Sequence, residues 1–176
     1  MSGLIAGLSP AAKLTSEAEA RASARASAVS IVLGVIWGGV NLAWMTSPEG
    51  AAIMQQATAA SATPETAAMM EGAMGAMIGL MAFFIGLQLI FAGIQWFKPN
   101  MIVPILFLLL VVYGLLTSVM GLVMADQMAA MMGPQPQLAP WLTYGSLAVL
   151  VIQLMLHISG IRGASALSKF RRDAAA

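Results

Sequence analysis

The chain has 176 residues, of which 60% are hydrophobic and 9% charged, with a net charge of +1, no cysteine and a mean hydropathy of +0.87. These values lie outside the range of soluble globular domains, and the length allows one domain. Without cysteine, disulfides, thiolate metal sites and thiol catalysis are excluded.

About 20 apolar residues are needed to cross roughly 30 Å of hydrocarbon. Four such spans can be drawn, over residues 28–45, 73–97, 101–125 and 141–161. The expected fold class is all-α: an integral membrane antiparallel four-helix bundle with both termini cytoplasmic. Residues 1–27 form a cytoplasmic N-terminal segment, partly helical. Residues 28–161 make the four-span bundle, and residues 162–176 a basic cytoplasmic tail.

Taken in chain order, Leu4, Ile5 and Leu8 suggest a short interfacial segment. Lys13–Ser30, rich in Ala, Ser, Glu and Arg, predicts a helix running directly into the first span. No clear small-residue cleavage site follows that span, which reads as an uncleaved anchor. The loop Thr46–Glu71 carries two helix starts, Ser47-Pro48-Glu49 and Thr63-Pro64-Glu65. Each sets a capping hydroxyl before a proline at the first helical position, with an acid in the first turn. A short surface helix is expected between them, and the second helix should begin about two turns outside the hydrocarbon. Lys98-Pro99-Asn100 is a tight turn that should make the second and third spans antiparallel neighbours. Gly133–Gln137 breaks the helical pattern, and Pro140 suits the first turn of the last helix. Trp44, Trp96, Trp141 and Tyr144 fall at span ends, where amphipathic rings favour the headgroup level.

Charge sets the orientation. Lys13, Arg21 and Arg25 precede the first span, Lys98 joins the second to the third, and Arg162, Lys169, Arg171 and Arg172 follow the fourth. The two other loops hold only the acids Glu49, Glu65, Glu71 and Asp126. The positive-inside rule then places both ends in the cytoplasm, in a bacterial-type inner (plasma) membrane. The basic residues act as topology determinants touching anionic lipid, with no nucleic-acid role.

The second span has the sharpest pattern. Gly72, Gly79, Gly86 and Gly93 recur every seven residues, which keeps them on one left-handed seam. Small residues let helix backbones approach closely in a bilayer, so this side predicts an unusually close packing seam. Roughly opposite, Met74, Met81, Gln88 and Gln95 form a second heptad series with Met70 and Met77 beside it. The amides should face protein rather than lipid. A helix with two such faces should be central in the bundle or shared between protomers. The third span offers Gly114, Ser118 and Gly121; the first, Ser27, Ser30, Gly34, Gly38 and Asn41; the fourth, Ser146, Gln153, His157 and Gly160. Each span thus has one small or polar stripe, as a compact bundle requires.

Most of the 15 methionines fall in the outer half or outer loops. Thioether sulfur suits Cu(I), and Met70/Met74, Met77/Met81 and Met120/Met124 are spaced to put both sulfurs on one helix side. Adaptable packing is the favoured reading of these residues, because no outer histidine or cysteine completes a copper site. His157, the sole histidine, is expected to be neutral and bonded to Gln153, Gln88 or Gln95; an intramembrane ionisable group is also a functional candidate. No Asp, Glu, Lys or Arg lies within a span, and no paired carboxylates or phosphate-binding loop are present.

No catalytic residue, metal site or cofactor is therefore assigned, and an enzyme is not expected. The expected function is a non-enzymatic membrane protein acting through helix–helix contacts. It would be an accessory or assembly subunit of a membrane complex or a homo-oligomer, with the lipid bilayer and other membrane subunits or itself as partners. The alternative is a small-solute or copper transporter or channel along a path lined by Gln88, Gln95, Gln153 and His157.

Overall fold

The computed structural model describes residues 8–11, 13–59, 64–125, 127, 130 and 139–175. Among the described residues six helices follow one another: α1 Glu17–Ala24, α2 Ala26–Met45, α3 Pro48–Ala59, α4 Pro64–Phe97, α5 Ile102–Val123 and α6 Pro140–Asp173. Taking α1 and α2 as one rod, four of these units are long and apolar enough to cross a membrane, which supports an integral membrane protein.

Local chemistry sets the helix starts. The first described helix begins at Glu17, not at Lys13. Ser16 accepts from the Glu19 amide at 3.3 Å, and the Glu19 carboxylate accepts from the Ser16 amide at 3.1 Å. This Ser-x-x-Glu capping box closes the helix end, and its spacing was present in the sequence. α1 and α2 meet at Arg25 with little change of direction in the backbone dihedrals. Ser47 caps α3, accepting from the Gly50 amide at 3.2 Å, as the Ser-Pro-Glu pattern predicts. α4 starts at Pro64, also as predicted. At the head of α5, Asn100 Oδ1 accepts from the Val103 amide at 3.0 Å; Pro104 falls in the first turn, where no amide is needed. α6 runs unbroken through its basic residues to Asp173, so the segment after Ile161 is helix at least that far.

Tertiary packing differs from the sequence expectation in two respects. The central pair is α2 and α6, with α1 continuing the contact along α6. α4 lies against α2, and α5 lies against α6. Although the Lys98–Asn100 turn joins α4 to α5, the two touch near that turn, where Phe91 meets Phe107 edge to face at 5.7 Å. Their main packing partners beyond it are different helices. Nor is α4 central: it is the least buried of the four units, with Phe83 62% and Leu80 54% exposed. The reason is steric. α2 carries small residues on two sides, one toward α6 and one toward α4, so it can hold two close neighbours at once.

Candidate functional site

The buried polar residues collect along the contact of α1 and α2 with α6. Ser23, Ser27, Ser30, Gly34, Trp37 and Asn41 recur at alternating four- and three-residue steps, which keeps them on one side of the α1–α2 rod. Five of these six meet α6 directly. Ser23 Oγ donates to the Ser159 carbonyl at 3.0 Å. Ser27 Oγ and His157 Nδ1 share a hydrogen bond of 2.8 Å. Ser30 and Gln153 pair twice: Gln153 Nε2 donates to the Ser30 carbonyl at 3.0 Å, and Ser30 Oγ donates to the Gln153 carbonyl at 3.3 Å. Trp37 Nε1 donates to Ser146 Oγ at 3.0 Å. As the α2 numbers rise, their α6 partners fall.

Glycine permits this closeness. A Cβ on Gly160 would lie 2.6 Å from the Ser27 Cβ, and one on Gly163 would overlap the backbone of Ser23 and Ala24. A Cβ on Gly145 would run into the Trp37 ring. The glycines that seat α6 on α1 and α2 are therefore Gly145, Gly160 and Gly163. Of these the sequence reading had singled out Gly160 alone.

His157 is fully buried, and its ring stacks on Phe107 with centroids 5.9 Å apart. Ile31, Ala92, Val103 and Phe107 form the apolar core beside it. Among the described residues its Nε2 has no hydrogen-bond partner. One ring nitrogen is therefore held by Ser27.

Of the polar-path candidates, Gln153 and Gln88 come together. A Cβ on Gly34 would stand 2.5 Å from Gln153 Nε2 and 3.3 Å from Gln88 Oε1, so both amides occupy the space this glycine leaves open. Gln95 sits elsewhere and is fully buried. Its Nε2 donates to the Ala24 carbonyl at 3.1 Å and to the Asn100 carbonyl at 3.2 Å, while its Oε1 accepts from the Asn100 amide at 3.3 Å. Gln95 thus ties the α4–α5 turn to the α1–α2 junction. Arg25 reinforces that tie: its Nε donates to the Trp96 carbonyl at 3.1 Å, and its guanidinium lies 5.0 Å from the centre of the Trp96 ring. No sequence signal pointed to this Arg25–Trp96 pair, because contact between distant residues leaves no local spacing.

The heptad glycines of α4 look the other way. The helix meets α2 through Gln88 and Ile85, the latter lying 3.3 Å from a Cβ on Gly38, and the end of α1 through Gln95. A Cβ on Gly72, Gly79, Gly86 or Gly93 would find nothing within 4 Å. The same holds for Gly121 on α5, whereas Gly114 lies under Leu150 of α6, 3.3 Å from its Cβ position. Within one chain the close approaches to α4 are made by glycines on α2. Among the methionines, Met77, Met120 and Met124 are exposed, and Met74 and Met81 are half-buried. The Met70 side chain lies outside the described residues. Met74, Met77 and Met81 ride on α4, Met120 and Met124 on or just beyond α5, and these helices lean on different central helices.

Compared with protein-family models, with curated proteins and with solved structures, the chain matches none. The functional reading therefore rests on its own geometry.

Proposed function

We propose that this chain is a non-enzymatic integral inner-membrane protein that works by docking another membrane helix, on a partner subunit or a second copy, against α4. The observation that carries the reading is the glycine heptad Gly72, Gly79, Gly86 and Gly93. Among the described residues, nothing lies within 4 Å of a Cβ at any of the four. Lipid is as apolar as leucine, so helices associate in a bilayer where backbones can come close. The opposite side of α4 is already committed to α2 through Gln88 and to the end of α1 through Gln95.

The state of the polar groups supports the same reading over transport. Gln95 and Gln153 spend their amides on backbone carbonyls of neighbouring helices, and His157 spends Nδ1 on Ser27. These bonds hold helices together.

The topology belongs to the proposal. The falling order of α6 partners along α2 supports an antiparallel pair. The contacts of Gln95 and Gly163 with Ala24 bring the α1–α2 junction, the Lys98 turn and the basic end of α6 to one end of the bundle. Trp37 and Trp141 meet edge to face 6.3 Å apart further toward the other end. By the positive-inside rule the basic end is cytoplasmic, with both termini inside.

The test is the double variant Gly79→Leu/Gly86→Leu, extracted gently from its native membrane with wild type in parallel. Wild type should migrate as an assembly larger than the monomer. The variant should run as a folded monomer, since a Cβ at either position meets nothing within 4 Å among the described residues. An unchanged assembly would remove the α4 docking reading.

A further inference from the structure

Near the basic end of α6 the surface opens into a groove of about 570 Å³. Three cations line it, Arg162, Lys169 and Arg172, set seven and three residues apart so that they share one side of the helix. Three apolar residues from separate parts of the chain complete it: Leu14 from the segment before α1, Met101 at the head of α5, and Ile161. The arrangement is amphiphilic along α6. Ile161 closes the apolar run that begins at Trp141, and that run is about as long as the hydrocarbon is thick. The cations lie beyond it. Phe97 and Ile102, 79% and 77% exposed, flank the α4–α5 turn on the same end.

Asp173 ends α6 four residues after Lys169 and makes no salt bridge among the described residues; the acids of α1 are occupied elsewhere. Glu17 pairs with Arg21 at 3.0 Å. Glu19 accepts from the Thr15 hydroxyl and amide at 2.8 and 2.7 Å and from the Ser16 amide. Among the described residues neither Lys169 nor Arg172 makes a salt bridge. A positive groove with an apolar upper lip, at the level where the hydrocarbon ends, matches one ligand chemistry: a phosphate ester carried on acyl chains.

We propose that this groove is a binding site for one anionic phospholipid. Its phosphate sits among Arg162, Lys169 and Arg172, where guanidinium groups can bind oxygens in pairs and the ammonium adds a point charge. Its chains run along Ile161 and Met101 into the bilayer. Leu14 forms the wall opposite α6, so the bound lipid joins the N-terminal segment to α5 and α6. The inference rests on the membrane placement proposed above and is independent of the docking role of α4.

The experiment is native mass spectrometry of the full chain released from detergent after titration with phosphatidylglycerol, with phosphatidylcholine, or with phosphatidylglycerol in the presence of inorganic phosphate. Wild type should retain one phosphatidylglycerol at the lowest lipid concentrations and no phosphatidylcholine. The variant K169Q/R172Q should bind it roughly thirtyfold more weakly, since each cation near the surface contributes roughly a factor of five. K13Q/R171Q removes the same charge outside the groove and should bind as wild type does. Equal retention of phosphatidylcholine overturns the proposal. So does an equal loss in both double variants, which would mark a diffuse charge effect. Displacement of the lipid by equimolar inorganic phosphate also overturns it, by revealing a free-anion site. Alkaline extraction of native membranes tests membrane placement separately: release of the chain would defeat that reading whatever the lipid titration shows.

Discussion

Ser27 Oγ on α2 and His157 Nδ1 on α6 lie 2.8 Å apart, with both residues fully buried. One turn away in each direction, Ser23 with Ser159 and Ser30 with Gln153 make further bonds between the same two rods. The α2–α6 contact is thus a polar ladder with glycine spacing between two otherwise largely apolar spans. Such bonds between helices in a bilayer each contribute modestly but fix register, because any slip leaves several polar groups without partners at once.

Removing one rung should therefore weaken the bundle without abolishing it. We expect Ser27→Ala to lower stability in detergent by about 0.6 to 1.7 kcal/mol. Ser27→Thr, which keeps the hydroxyl, should retain more of the bond. Thermal unfolding followed by circular dichroism measures both. Stability unchanged in Ser27→Ala would mean that the bond contributes nothing to folding.

Two glycines on different helices should respond in opposite ways. A Cβ on Gly163 overlaps the Ser23 and Ala24 backbone, so Gly163→Leu should prevent α1 and α6 from closing and yield little folded protein. Gly86→Ala meets nothing within the chain. There the gain in helix propensity should leave the monomer unchanged or more stable by up to about 1 kcal/mol. Comparing the yield and melting temperature of monodisperse monomer decides the matter; a Gly86→Ala monomer as damaged as Gly163→Leu would show that α4 packs through its glycine side.

The space beside Gly34 offers a third test. Gly34→Ala places a methyl group 2.5 Å from Gln153 Nε2, which must swing away from the Ser30 carbonyl. Gly34→Ala and Gln153→Leu should then destabilise by similar amounts, about 1 to 3 kcal/mol. The pair combined should cost less than the sum, since both break one bond. Full additivity in this double-mutant cycle would separate the glycine from the amide.

Gln95 makes a local prediction. Its side chain holds both the amide and the carbonyl of Asn100. Gln95→Ala should free the α4–α5 turn, and hydrogen exchange at the Asn100 amide should accelerate while the α2–α6 ladder stays protected. Unaltered exchange at that amide would mean the turn is held by its own backbone.

Much of the architecture could be read from the residues in order. Runs of about 20 apolar residues, the Ser-Pro-Glu start of α3, Pro64 and Pro140 are local features, and local features decide where helices form. The helices found, Ala26–Met45, Pro64–Phe97, Ile102–Val123 and Pro140–Asp173, contain or nearly match the spans drawn from hydropathy. Ser16 with Glu19 was equally local, yet lay hidden in an Ala-rich stretch whose helix propensity suggested an earlier start. The inward side of α4, with Gln88 and Gln95, and the paired stripes of α2 and α6 were also legible, because amides and hydroxyls cannot be left in hydrocarbon.

Residue order dictates which helices form, which are apolar enough for a bilayer, and which side of each is small or polar. Which sides meet is settled by packing in three dimensions. It joined the Ser27 stripe to His157 and Gln153, brought Gly163 onto Ala24, set Gln95 at the α4–α5 turn apart from the other amides, and left a Cβ at each of the four α4 glycines with nothing within 4 Å among the described residues. The physical reason is that helical periodicity specifies a direction around one axis and carries no information about the neighbour in that direction. In a bilayer every small-residue side is an eligible contact, and the choice among them depends on simultaneous fit over all the helices.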